Sequence, residues 1–330
     1  MRTLVIVLAV LAVLRPSRAF AGAWTTPEGQ IWTKVAWIYL DSDRLFVDSQ
    51  RDGLICGDGT LSEGDRGPYD CQLGGGLKAN SLLFESSIGI HRRFELMVQI
   101  PVFLSSQFLA PGTFQERRGI GDVRFTAKGV LLQEPVILST SVQVKAPTGF
   151  FTQDAIGVPL GEGQWDIAFQ VFASYPFWGG YAWTGVEGGY RIRLPNELLG
   201  ISGLDLGDEW LATYEIGTRF PKALWLYLSG RYDLRYQMES EELSQDVFVP
   251  NRPVRAVMYV TPKIIFNPFV RRDDSLKNLG LEFEVLVPVW GRGWPADSIY
   301  VVSITGLFPL FPEYSSKRRE KRLPVETDSR

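Results

Sequence analysis

Histidine occurs once and cysteine twice along 330 residues, and beyond the N-terminus no apolar run reaches the length of a membrane helix. Two thiols and one distant imidazole cannot complete a four-ligand zinc site, so no metal and no cofactor is expected. A helical span needs about 20 consecutive apolar residues. No helix-period segment of useful length follows the N-terminus either, so a helical membrane protein fits poorly. A net charge of −3, with no cluster of cations among aromatics, leaves no footprint for nucleic acid. Aromatic residues, by contrast, make up 13% of the chain and include ten Trp. That share suits girdles at two membrane–water interfaces.

The stretch Gly119–Gly149 sets the pattern. Val123, Phe125, Ala127, Gly129 and Leu131 alternate with Asp122, Arg124, Thr126, Lys128 and Val130. After Gln133-Glu134-Pro135, Val136, Leu138, Thr140, Val142, Val144 and Ala146 alternate with Ile137, Ser139, Ser141, Gln143 and Lys145. A period of two places each set on one face of a strand. Strands of about eleven residues match a tilted crossing of a bilayer. The alternation is cleanest where Phe94, Leu96, Val98, Ile100 and Val102 oppose Glu95, Met97 and Gln99. It recurs in about twelve segments, with long and short connections in strict alternation. Charges facing lipid near the midplane would cost about 2–4 kcal/mol each, so the charged faces are expected to point inward. The fold class is therefore all-β: a transmembrane antiparallel up-and-down β-barrel of about 12 strands in a bacterial outer membrane. Residues 41–79 and 105–119 are expected to be polar loops.

Residues 1–21 read as a signal peptide, with Arg2, an apolar core from Leu4 to Leu14, and Ala19-Phe20-Ala21 as the cleavage site. The barrel then spans 22–311, with a polar tail at 312–330. Trp24 to Gly29 reads as a short lead-in to the first strand. Cys56 and Cys71 share one Gly-rich polar stretch, and in an oxidising compartment a disulfide between them would contribute on the order of 3 kcal/mol.

No constellation of catalytic residues emerges. His91, beside Arg92 and Arg93, falls at the periplasmic end of its strand, away from the external side where barrel hydrolases carry a catalytic histidine. An enzyme is not expected. The densest inward charges are Arg231, Asp233 and Arg235, with Arg191 and Arg219 on neighbouring strands. Together with Trp225 and Tyr227 they are the candidate pore lining; Phe172 also faces inward, as filling. A salt-bridged interior that merely holds the barrel in shape is the competing reading of such charges.

The runs Gly119-Ile120-Gly121-Asp122, Lys145-Ala146-Pro147-Thr148-Gly149 and Gly163-Gln164-Trp165-Asp166 resemble a family of outer-membrane proteins associated with phenol meta-cleavage pathways. The resemblance implies uptake of aromatic or other hydrophobic compounds. It marks strand starts and loops and assigns no binding residue. The expected function is a channel for passive uptake of small molecules; the alternative is a closed structural or surface-interaction barrel working through its external loops. Expected partners are outer-membrane lipid, a small-molecule solute and the barrel assembly machinery. Oligomeric state stays open.

Overall fold

A computed structural model describes residues 22–48, 68–110, 113–150, 160–194, 208–220, 226–237, 256–267, 278–292 and 294–310. The strands are β1 (Gln30–Asp48), β2 (Pro68–His91), β3 (Phe94–Ala110), β4 (Thr113–Ile120), β5 (Val123–Leu132), β6 (Ile137–Ala146) and β7 (Asp166–Phe177). They continue as β8 (Ala182–Arg193), β9 (Glu209–Phe220), β10 (Leu226–Gln237), β11 (Ala256–Phe266), β12 (Leu279–Arg292), β13 (Trp294–Pro295) and β14 (Ile299–Pro309). All belong to one antiparallel sheet; apart from β4, which pairs with β3, and β13, which pairs with β1, strands consecutive in sequence lie side by side. Strand β1 pairs with β14 on one side and β2 on the other, so the sheet closes on itself. Setting aside the short β4 and β13, twelve strands form the ring. Closure gives each strand of the ring a partner on both sides, the condition a β structure must meet to cross a bilayer.

Side-chain facing follows the alternation. Glu95 is 3% exposed and Leu96, one residue on, is 44% exposed. Exposed apolar side chains occur on strand after strand: Val35, Phe84, Phe125, Val142, Phe169, Val186, Ile216, Ile264, Phe283 and Ile304. They make a belt around the wall. Aromatic pairs stand at its rim on the side of the long connections, Trp37 stacked on Tyr39 at 5.8 Å and Tyr190 against Trp210 at 4.8 Å. Tyr175, Trp178 and Tyr181 mark the opposite rim, beside a tight turn. Short turns such as Arg92-Arg93 define the periplasmic end, and long connections define the external end.

Two expected loops are partly strand. β1 and β2 continue to Asp48 and from Pro68, paired from Arg44↔Gln72 to Asp48↔Pro68, where 41–79 reads as loop. β3 likewise runs to Ala110 and pairs with β4, where 105–119 reads as loop. Above the bilayer, ladder hydrogen bonds need no apolar alternation, so the polar sequence hides these extensions. The signal peptide, Cys56 and the tail at 312–330 lie outside the described residues; Cys71 falls on β2 opposite Leu45.

Candidate functional site

The external half of the inner wall is organised by a break in one descending strand. β4 pairs with the upper part of β3 and β5 with its lower part, and Gly121-Asp122 sits between them. The Gly121 N–H donates to the Pro101 carbonyl at 2.8 Å. A Cβ on residue 121 would stand 2.8 Å from the Phe103 ring and 2.9 Å from the Leu160 carbonyl oxygen, so only glycine fits. The adjoining Asp122 is buried. Its carboxylate accepts the Gly149 N–H at 3.0 Å and the Glu162 N–H at 2.8 Å. The Thr148 hydroxyl donates to the Gly121 carbonyl at 2.7 Å and accepts the Val123 N–H at 3.0 Å. Both described ends of the 147–165 connection are thus tied down on the strand break.

Lys145 stands at the centre of this arrangement, with its side chain 3% exposed. Its ammonium lies 2.8 Å from Asp166 and 3.6 Å from Asp122, and it contacts Glu162. Arg193 approaches Glu162 at 3.5 Å and pairs with Glu209, which also receives Arg191. Gln164 donates to Asp166 at 3.3 Å, while its own Oε1 is buried without a hydrogen-bond partner among the described residues. Charges taken out of water must be paired to persist, and strands β6 to β9, with Asp122 just ahead of β5 and Glu162 on the connection, each bring one end of a pair to this point. The three sequence runs, which lie at strand ends and in the connections beside them, therefore converge on one cluster.

Glu162 sits on the connection and not in a strand. Burial pushes its carboxyl up, but Arg193 and Lys145 outweigh that and hold it at about 2. A carboxyl depressed on folding contributes stability that is complete above its unfolded value of about 4.3 and is lost as pH falls through the folded value. The thermal midpoint in detergent micelles is expected to fall between about pH 4.5 and 2 by more in the native chain than in Glu162→Gln. Equal acid sensitivity of the two chains would count against this tie.

A second group lies on β1, β11 and β12. Glu282 is contacted by Lys34 and lies 3.1 Å from Lys263, which is 3.6 Å from Glu284. Thr261 and Ser303, nearby on the same inner face, are fully buried.

The periplasmic end of the lumen holds the segment from Gly22 to Pro27. The Thr26 N–H donates to Glu95 at 2.6 Å and its hydroxyl meets Ser87. Lys128 donates to the carbonyls of Trp24, at 2.7 Å, and Gly22; Ser139 donates to that of Ala23. Ala23 packs with Val130 and Ile137, flanked by Trp24 and Phe172. Gly89 admits the chain here, since a Cβ would stand 2.2 Å from the Pro27 carbonyl oxygen. The lead-in expected before the first strand is in fact inside the barrel. The inward orientation read for Phe172 holds, and its contact is this segment.

Among the candidate pore-lining residues, Arg191 is engaged with Glu209 on the inner wall. Register sets Arg231 opposite Glu215 and Thr261, Asp233 opposite Thr213 and Tyr259, and Arg235 opposite Leu211 and Val257. Arg219 is in register with Tyr227 across β9 and β10. Trp225 lies outside the described residues. The cluster around Lys145 draws most of its members from other strands than these. Asp122, Lys145, Asp166 and Glu209 are visible in the sequence as inward charges, but their union is not. Glu162 gives no signal at all, because it sits in a connection without periodicity.

A closed twelve-strand ring with an apolar outer belt and a charged lining is an outer-membrane β-barrel protein. Residues 93–237 match the model of the family described as "Putative MetA-pathway of phenol degradation", so over that span the family resemblance of the three motifs is shown. The COG4313 outer membrane channel from Pseudomonas putida F1 superposes with a TM-score of 0.62 at 14% identity, covering 88% of this chain and 100% of that one. A FadL homologue from Pseudomonas aeruginosa gives a TM-score of 0.34 at 11% identity over 86% and 90% of the two chains. No curated protein matches the chain.

Proposed function

We propose that the barrel is a channel for passive passage of small molecules, of aromatic or other hydrophobic class, with the Gly22–Pro27 segment as its periplasmic constriction. The carrying observation is that this segment is held inside the lumen by hydrogen bonds from wall residues Lys128 and Ser139 to its main chain. The named channel among similar folds and the phenol-degradation description of the matched family support the reading. Arg191, Arg219, Arg231, Asp233 and Arg235, with Trp225 and Tyr227, are the proposed pore lining.

The test is a release of the segment. Lys128→Met combined with Ser139→Ala is expected to raise single-channel conductance in planar bilayers severalfold, and to speed entry of phenolic solutes into liposomes more than that of sugars. Conductance equal to that of the native chain would favour the closed barrel instead. That second reading draws on the dense ion pairing around Lys145 and Glu282.

A further inference from the structure

A polar groove of about 360 Å³ lies on the outer wall, lined by Tyr39, Lys78, Asn80, Gln107, Glu116 and Arg118 among others. Register shows that it faces away from the lumen. Tyr39 is opposite Asn80 and the exposed Tyr300, Lys78 is opposite Asp41 and Gln107, and Gln107 is opposite Glu116. A bulge at Leu104, between the pairs Asn80↔Ser105 and Ser81↔Phe103, turns Ser105 and Gln107 to this outer face. The β3–β4 hairpin then stands above the bilayer belt and walls the groove on one side.

Its height is set by the aromatic girdle. Trp37, stacked on Tyr39, donates from its indole N–H to Asn80 at 2.6 Å, so the groove floor is the headgroup level of the external leaflet. Two cations project there, each aimed by an acid beside it. Lys78 is 2.9 Å from Asp41 and Arg118 is 2.8 Å from Glu116. Lys carries three donors and Arg five, so these pairings leave most of them for a ligand. Amide and hydroxyl groups of Asn80, Gln107 and Ser105 sit between them, of the kind that bind sugar hydroxyls, and the volume is that of a small-ligand site. Directly below, Val35, Phe84 and Ile120 are exposed and apolar, as acyl chains require.

We infer that this groove binds the phosphorylated sugar headgroup of a glycolipid in the external leaflet, with Lys78 and Arg118 on the phosphate and Asn80 and Gln107 on the sugar. The site is independent of the lumen and of the channel reading. The experiment is native mass spectrometry of the full detergent-solubilised barrel titrated with three probes: a phosphorylated glycolipid, the same lipid after dephosphorylation, and the free sugar phosphate. The native chain is expected to bind the phosphorylated lipid at least tenfold more tightly than either other probe. Lys78→Gln with Arg118→Gln is expected to lose that preference, whereas Arg92→Gln, at the opposite end of the wall, keeps it. Equal binding of the dephosphorylated lipid, or an unchanged double variant, would overturn the assignment. Free sugar phosphate binding as tightly as the lipid would overturn the lipid as occupant. Heat-modifiable mobility of each variant on gels establishes that it has folded before its binding is read.

Discussion

Lys145→Met is expected to destabilise the folded barrel by about 3–5 kcal/mol. The methionine fits the space of the aliphatic stem, so packing is nearly conserved and the loss is electrostatic. Asp122, Glu162 and Asp166 all face the vanished ammonium, and Asp166 and Asp122 are themselves buried. Arg193 stands near Glu162 but is already committed to Glu209. Asp122 also anchors the 147–165 connection through two main-chain N–H groups, so protonating or expelling it loosens that segment as well. Reversible denaturant titration in lipid vesicles measures the effect. A second substitution, Asp166→Asn, should recover part of the loss by removing one stranded charge, and failure to recover any of it would sink the electrostatic account.

Val171→Arg tests the outer face with nearly as large an effect. Val171 is 52% exposed near the middle of β7, between Thr140 of β6 and Gly188 of β8. A guanidinium at the bilayer midplane costs about 2–4 kcal/mol, falling to about 0–1 near an interface. Trp165→Arg, just beyond the external end of the same strand, should therefore cost about 1 kcal/mol or less in charge burial. The depth gradient is the decisive quantity, since a soluble barrel or sandwich would show none. Comparable losses at 171 and 165 in vesicle refolding would remove the bilayer from the explanation.

The fold was legible because lipid and water impose a period of two on every crossing. Glu95 beside Leu96, or Asp166 beside Ile167, can satisfy both solvents in only one orientation. Where no lipid is present that constraint vanishes. The ladder from Arg44↔Gln72 to Asp48↔Pro68 and the β3–β4 hairpin pair through backbone groups that any sequence supplies, so their sequence looks like loop. The lumenal placement of Gly22–Pro27 was hidden for a related reason. Lys128 and Ser139 grip carbonyl oxygens, which every residue possesses, and nothing in Gly22-Ala23-Trp24 announces the contact. The charge cluster lies between these extremes. Its strand members obey the alternation, but their meeting depends on the Gly121-Asp122 break and on Glu162 reaching in from a connection.

Strand β1 is paired from Gln30 to Leu40 with residues that follow it by about 260 positions or more, Ile299 to Pro309. Until those residues arrive, β1 and β12 each keep a bare margin whose amides and carbonyls would cost several kcal/mol apiece in hydrocarbon. A partly built wall therefore has no resting place in the bilayer. Shortening the chain before Ile299 removes not one strand of twelve but the joint that lets the other eleven exist there.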